Sequence, residues 1–171
     1  MRNSTSDLFF TLILEKMPYR NPPLLLCSVI TKLIHHGPNR RNHFSEWLER
    51  LSTELPGIPP AAFLIACVYW DRAGLRHGMP SRSCLTSYLV LLVIAVKWHT
   101  DFGRLSLRPF IPFALGMSAK ELAEKEAEAL RRLGYRLFVT TRELAHLLLA
   151  EEEGDTLTQD EVQFAAWQCF S

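Results

Sequence analysis

Two kinds of hydrophobic pattern alternate along this chain. In the first, apolar residues recur at helical spacing. Phe44, Trp47, Leu48, Leu51 and Leu55 fall at i, i+3, i+4, i+7 and i+11, with Glu46, Glu49 and Arg50 off the stripe. That spacing predicts an amphipathic helix, which Asn42 can cap and Pro56-Gly57 ends. In the second, the segment is apolar on every side. Ala61 to Trp70 is one such run, opened by Pro59-Pro60, where proline suits a first helical turn. Tyr88 to Val96 is the other, lying within Leu85 to Asp101 and free of Gly and Pro. Its length favours a helix, although Val90, Val93, Ile94 and Val96 are strand formers. It falls short of the roughly 20 apolar residues that span a bilayer, so protein must cover it all round.

The remaining segments fit around these. A short helix over Leu8 to Lys16 is broken by Pro18, Pro22 and Pro23. Leu24 to His36 reads as a helix with Leu26, Ile30, Leu33 and Ile34 on one face, stopped by Gly37-Pro38. Leu75 to Arg82 is a basic loop. At most one short helix fits between Phe102 and Gly116, which Gly103, Pro109 and Pro112 interrupt. Capping boxes begin at Ser118, Thr140 and Thr158, each with Glu three residues on. They open a helix to about Leu133, one from Thr140 with Leu144, Leu147 and Leu148 on one face, and one ending near Phe170. Arg136 to Thr140 is a strand candidate with no partner. The expected fold class is all-α: two buried helices wrapped by amphipathic ones.

Composition alters this picture little. A chain of 171 residues, 48% hydrophobic, can bury a core without staples. A net charge of +1 gives no pull toward nucleic acid or an anionic membrane. No two of Cys27, Cys67, Cys84 and Cys169 have CxxC spacing. With no signal-peptide pattern, they read as reduced thiols of an intracellular protein. There is no GxGxxG, P-loop, HExxH or GxSxG, and the histidines do not cluster at ligand spacing. No enzyme activity, metal, cofactor or small-molecule ligand is expected.

Two charges interrupt apolar surfaces. Lys97 ends the Tyr88–Val96 run. It is either a last-turn lysine reaching water past the helix end or half of a functional pair. Glu126 lies four residues from both Leu122 and Leu130, on a helix expected to bury Ala119, Leu122, Ala123, Leu130 and Leu133. It is a rim residue or a member of an internal ion pair, since a lone buried carboxylate is costly. Lys97 is its natural partner.

Ile65-Ala66-Cys67-Val68-Tyr69-Trp70-Asp71-Arg72 resembles the tyrosine-x-aspartate-arginine signature of the second helix of a cyclin box. Ala95-Val96-Lys97 resembles the alanine-x-lysine closing the third, and Lys97 to Asp101 repeats the lysine-x-x-x-aspartate of single-box cyclins of the phosphate-regulon (P or U) type. Glu121-Leu122, Glu126, Leu130 and Leu133 to Leu137 look like the fifth helix and its exit. Ser45 to Leu51 is similar to the first. The departures are Leu85-Thr86 for a His-Arg pair, Lys125 and Ala129 for leucine and phenylalanine, and Arg40 for a methionine of the substrate-docking patch.

The resemblance covers about residues 42–148. It implies a five-helix cyclin box over 42–153, an N-terminal arm over 1–41, and an acidic break with a short helix over 154–171. It implies a regulatory subunit that binds and activates a cyclin-dependent kinase. Lys97 and Glu126 would be polar anchors, and Leu122, Leu130 and Leu133 the apolar contact. Asp71 would pair structurally with Arg41. Cyclin-box folds also occur in transcription factors that contact DNA, which would use Arg72, Arg76, His77, Arg82, Arg104 and Arg108. A non-activating scaffold is the third reading. No membrane or nucleic-acid partner is expected.

Overall fold

The computed structural model describes residues 22–34, 41–75, 81–99, 108–149, 157–158, 161–162 and 165. The expected helix over residues 8–16 lies outside them. Among these residues the elements run in order α1 Pro22–Ile34, α2 Arg41–Glu54, α3 Pro60–Arg72, α4 Ser81–His99, α5 Ala119–Arg132 and α6 Thr141–Leu149, with a 3₁₀ helix, Arg108–Phe113, between α4 and α5 and further helical residues at 161, 162 and 165. The fold is all-α, and there is no strand among the described residues. Arg136 to Thr140, the strand candidate, is non-helical and unpaired into any sheet.

The two all-apolar segments form the centre. Every residue from Ala62 to Trp70 and from Tyr88 to Val96 is buried, the latter nine to 3% exposure or less. α3 packs along α4, α5 and α2 also pack on α4, α1 lies across α2 and α3, and α6 covers α3. α4 begins at Ser81, four residues before the expected Leu85. Cys84, in this added turn, is buried. α2 begins at Arg41, so Asn42 lies inside the helix and does not precede it as a cap.

Buried polar atoms are answered mainly by backbone. The Tyr88 hydroxyl donates to the Phe63 carbonyl at 2.8 Å, tying α4 to α3. Burial pushes its phenol well above the ordinary range, so it stays a neutral donor. Trp47 Nε1 donates to the Phe113 carbonyl at 3.2 Å, fixing the 3₁₀ helix to α2. With three residues per turn, that short helix stacks Phe110 and Phe113 on one face, and both are buried.

The sharpest polar feature of the core joins the two ends of the chain. Glu161, 4% exposed, receives Lys32 Nζ at 2.7 Å, Ser28 Oγ at 2.5 Å and the Thr158 backbone N–H at 2.8 Å. The last is half of the capping box expected at Thr158. Val162 and Ala165, beyond it, are buried. Burial alone would raise the Glu161 carboxyl, but the bonds from Lys32, Ser28 and Thr158 outweigh it and hold the group below the ordinary value of 4.5. A depressed carboxylate stabilises the fold above the unfolded value, and that contribution is lost as pH falls through the folded one. Glu161→Gln is therefore expected to cost about 1–3 kcal/mol at pH 7. In urea unfolding followed across pH, the gap from the parent should narrow as the pH falls below the ordinary carboxylate value of 4.5.

Candidate functional site

The site grows from the end of α4. Beyond Val96 the helix leaves the core, and Lys97 and Trp98 are exposed, the indole to 59%. α5 runs alongside. Its capping box is complete: Ser118 Oγ accepts from the Glu121 N–H, and the Glu121 carboxylate accepts from the Ser118 N–H at 2.7 Å. Those bonds hold the Glu121 carboxyl low. The box fixes where α5 starts, and so which residues face α4.

At this seam Lys97 Nζ donates to both oxygens of Glu126, each at 2.7 Å. The lysine side chain is 34% exposed and the glutamate 14%. The pair expected from the two misplaced charges thus forms, at the rim of the core. Two of the three ammonium N–H groups are used, and each carboxylate oxygen keeps lone pairs. The arrangement therefore retains a donor and acceptors for a third party, already oriented.

The apolar partners expected beside it are placed differently. Leu122 and Leu133 are 0% and 2% exposed and belong to the core, so neither can meet a partner surface. Leu130 is only partly buried and packs on the core's edge. Ala119 and Ala123, expected to be buried, are exposed. Among the described residues, the large hydrophobic side chains left exposed are three aromatics that spacing did not single out: Trp98, Tyr135 at 67% and Phe138 at 74% exposure.

Tyr135 and Phe138 are presented by the exit from α5. Gly134, at φ +59°, ends the helix with its N–H on the Arg131 carbonyl, while the Tyr135 N–H reaches the Leu130 carbonyl at 3.0 Å. This is the six-to-one and five-to-two bonding of a Schellman stop. Tyr135 also sits at φ +56°, a conformation an L side chain adopts only where its surroundings hold it. The chain then runs non-helical to α6, with Leu137 inward between the exposed Arg136 and Phe138.

The end of α3 supplies that hold. The Tyr69 hydroxyl donates to the Leu137 carbonyl at 2.7 Å, its phenol pushed up by burial. Arg72 donates to the carbonyls of Arg136 at 2.6 Å and Phe138 at 2.8 Å. Its guanidinium also pairs with Glu143, whose other oxygen takes the Thr140 N–H at 2.9 Å to cap α6. The bond from Arg72, then that from Thr140, hold the Glu143 carboxyl below its ordinary value. The tyrosine and arginine of the signature thus hold this strip, a role separate from the pairing expected of Asp71, which has a contact of its own. Asp71 is exposed, and the Arg41 side chain lies outside the described residues. The signal for Arg72 was the signature itself together with the capping box at Thr140.

Among the described residues, no three of His, Cys, Asp and Glu are grouped to hold a metal ion, and no helix is long and apolar enough to cross a membrane. Cys27, Cys67 and Cys84 are free thiols, all buried. Set against profiles of protein families, curated proteins and solved structures, the chain matches none of them.

Arg72 answers two carbonyls and a carboxylate with one side chain, so its loss is expected to be felt at a distance. Arg72→Ala should lower the unfolding free energy by about 2–3 kcal/mol. Arg72→Lys should recover only part, because an ammonium lacks the planar fork. Hydrogen exchange should locate the loosening at the amides of 137–144, with α4 still protected.

Proposed function

We propose that this chain is a cyclin-type regulatory subunit: a five-helix box over residues 42–153 that docks on a cyclin-dependent protein kinase inside the cell and activates it. The observation that carries the reading is the Lys97–Glu126 pair. It stands where one of the two all-apolar helices leaves the core, with the Trp98 indole exposed beside it. A rim ion pair contributes about 1 kcal/mol or less to stability. Recognition explains more about its position than folding does.

In this reading the unused N–H of Lys97 and the free lone pairs of Glu126 bond main-chain groups of the kinase. Such bonds fix orientation, while the exposed aromatic supplies buried area. Leu122 and Leu133 act indirectly, by seating α5 so that Glu126 meets Lys97. Binding would favour the kinase conformation in which its own lysine–glutamate pair and metal-binding aspartate are aligned. All phosphoryl-transfer chemistry would then belong to the kinase.

The test separates docking from folding. Affinity capture read by mass spectrometry is expected to retain one dominant cyclin-dependent kinase. Lys97→Ala and Glu126→Ala should each weaken that complex tenfold or more, with melting nearly unchanged. The swap Lys97→Glu with Glu126→Lys restores the internal pair but reverses its polarity, and should not restore binding. Capture of no such kinase, or equal retention by the swapped protein, overturns the proposal.

A further inference from the structure

The seam between α4 and α5 has a second end, independent of the kinase reading. α5 runs back along α4, so that Lys97 meets Glu126 while the residues after Glu126 lie against the first half of α4. There the helices do not close. A cleft of about 210 Å³ opens among α4, α5 and the turn after α3. That far exceeds the roughly 10–15 Å³ that admits one water.

Its floor is apolar: Val90 and Leu91 from α4, Leu75 from the turn. The gap exists because α5 contributes Ala129 here, a methyl where a larger side chain would reach the floor. Leu75 is fixed by the α3 stop, in which its N–H bonds the Trp70 carbonyl and Gly74, at φ +69°, makes the turn. The floor is thus set by the core and does not depend on a ligand.

The mouth is charged. Lys125 and Arg132 flank it, two turns apart on α5, with Glu128 between them. Glu128 and Arg132 have ion-pair spacing, yet make no bond to each other. Beyond the mouth, residues 128–136 carry Arg131, Arg132 and Arg136 against Glu128 alone, a local balance of +2 (three minus one) in a chain of net charge +1. None of the three guanidinium groups has a hydrogen bond or ion pair among the described residues.

We propose that this cleft is a docking site for an acidic linear peptide that inserts one aliphatic side chain. The side chain would rest on Val90 and Leu91 under Ala129, and a carboxylate next to it would take Arg132 as a bidentate partner, with Lys125 as the second cation. An apolar floor beneath a mouth with a cationic excess matches that chemistry. Nucleic acid would use the charges and leave the floor unfilled.

An array of labelled eight-residue peptides tests this, with Leu, Ile, Val, Phe or Ser at the centre and Asp, Ser or Lys on either side. Fluorescence polarisation with the full chain is expected to show binding only for an aliphatic centre with at least one flanking Asp. Ala129→Phe fills the cleft and should weaken it tenfold or more. Arg132→Glu, at an exposed position that leaves folding intact, should do the same and convert the preference to flanking Lys. The proposal is overturned if no peptide binds, if Leu and Ser centres bind alike, if both variants bind like the parent, or if a 20-nucleotide oligouridine displaces the peptide and binds Ala129→Phe unchanged.

Discussion

The rest of the molecule depends on one constraint: α4 has no face for water from Tyr88 to Val96. Nine consecutive buried residues need neighbours in every direction, and a chain of this length supplies them only by setting several helices around one. α3 is itself buried over nine residues and takes the largest share. α2 and α5 are one-sided and close the remainder. Polar chemistry is displaced to the ends of the bundle. Within the central run the one polar atom on a side chain, the Tyr88 hydroxyl, is spent on a carbonyl of α3.

At those ends, single side chains satisfy several backbone groups. Arg72 and Tyr69, adjoining the α3 stop, take three successive carbonyls of the segment between α5 and α6. Of these, the Leu137 carbonyl is buried and would otherwise lack a partner, at a cost of about 1–3 kcal/mol. The same strip begins with Tyr135 in a left-handed conformation, which such ties can hold against local preference. Glu143 then links the strip to the next helix, because one oxygen pairs with Arg72 and the other caps α6. Glu161 repeats the device between α1 and the C-terminal residues.

These devices were unequally legible in the sequence. The all-α class, the α2 stripe and all three capping boxes follow from spacing, since local chemistry decides them. The Lys97–Glu126 contact was also readable, because each charge broke an apolar pattern and a buried charge needs a partner. The rotation of α5 was not. Ala119 and Ala123 looked like part of its inner face, but a methyl suits either side of a helix and carries little information about facing. Leu122 and Leu133 turned fully inward, and the apolar surface passed to Trp98, Tyr135 and Phe138. Nor could spacing show that Arg72 reaches backbone 64 and 66 residues away, since carbonyls have no sequence signature.

The α4–α5 seam shows why a charge and a small residue matter at its opposite ends. Between them the two helices are held by packing, and a partner has nothing to grip. At the Lys97 end, the pair already bears much of the cost of drawing a carboxylate toward the core. Glu126 is only 14% exposed before anything binds. A partner that bonds the remaining N–H and lone pairs therefore meets groups fixed in place and partly desolvated, which lowers the ordering cost of association. At the Ala129 end, the missing volume is equally preset, framed by residues the core holds still. Both ends are preorganised by the same apolar run. A change in α4 that loosened the seam should therefore weaken binding at both, whereas Ala129→Phe should act on the cleft alone.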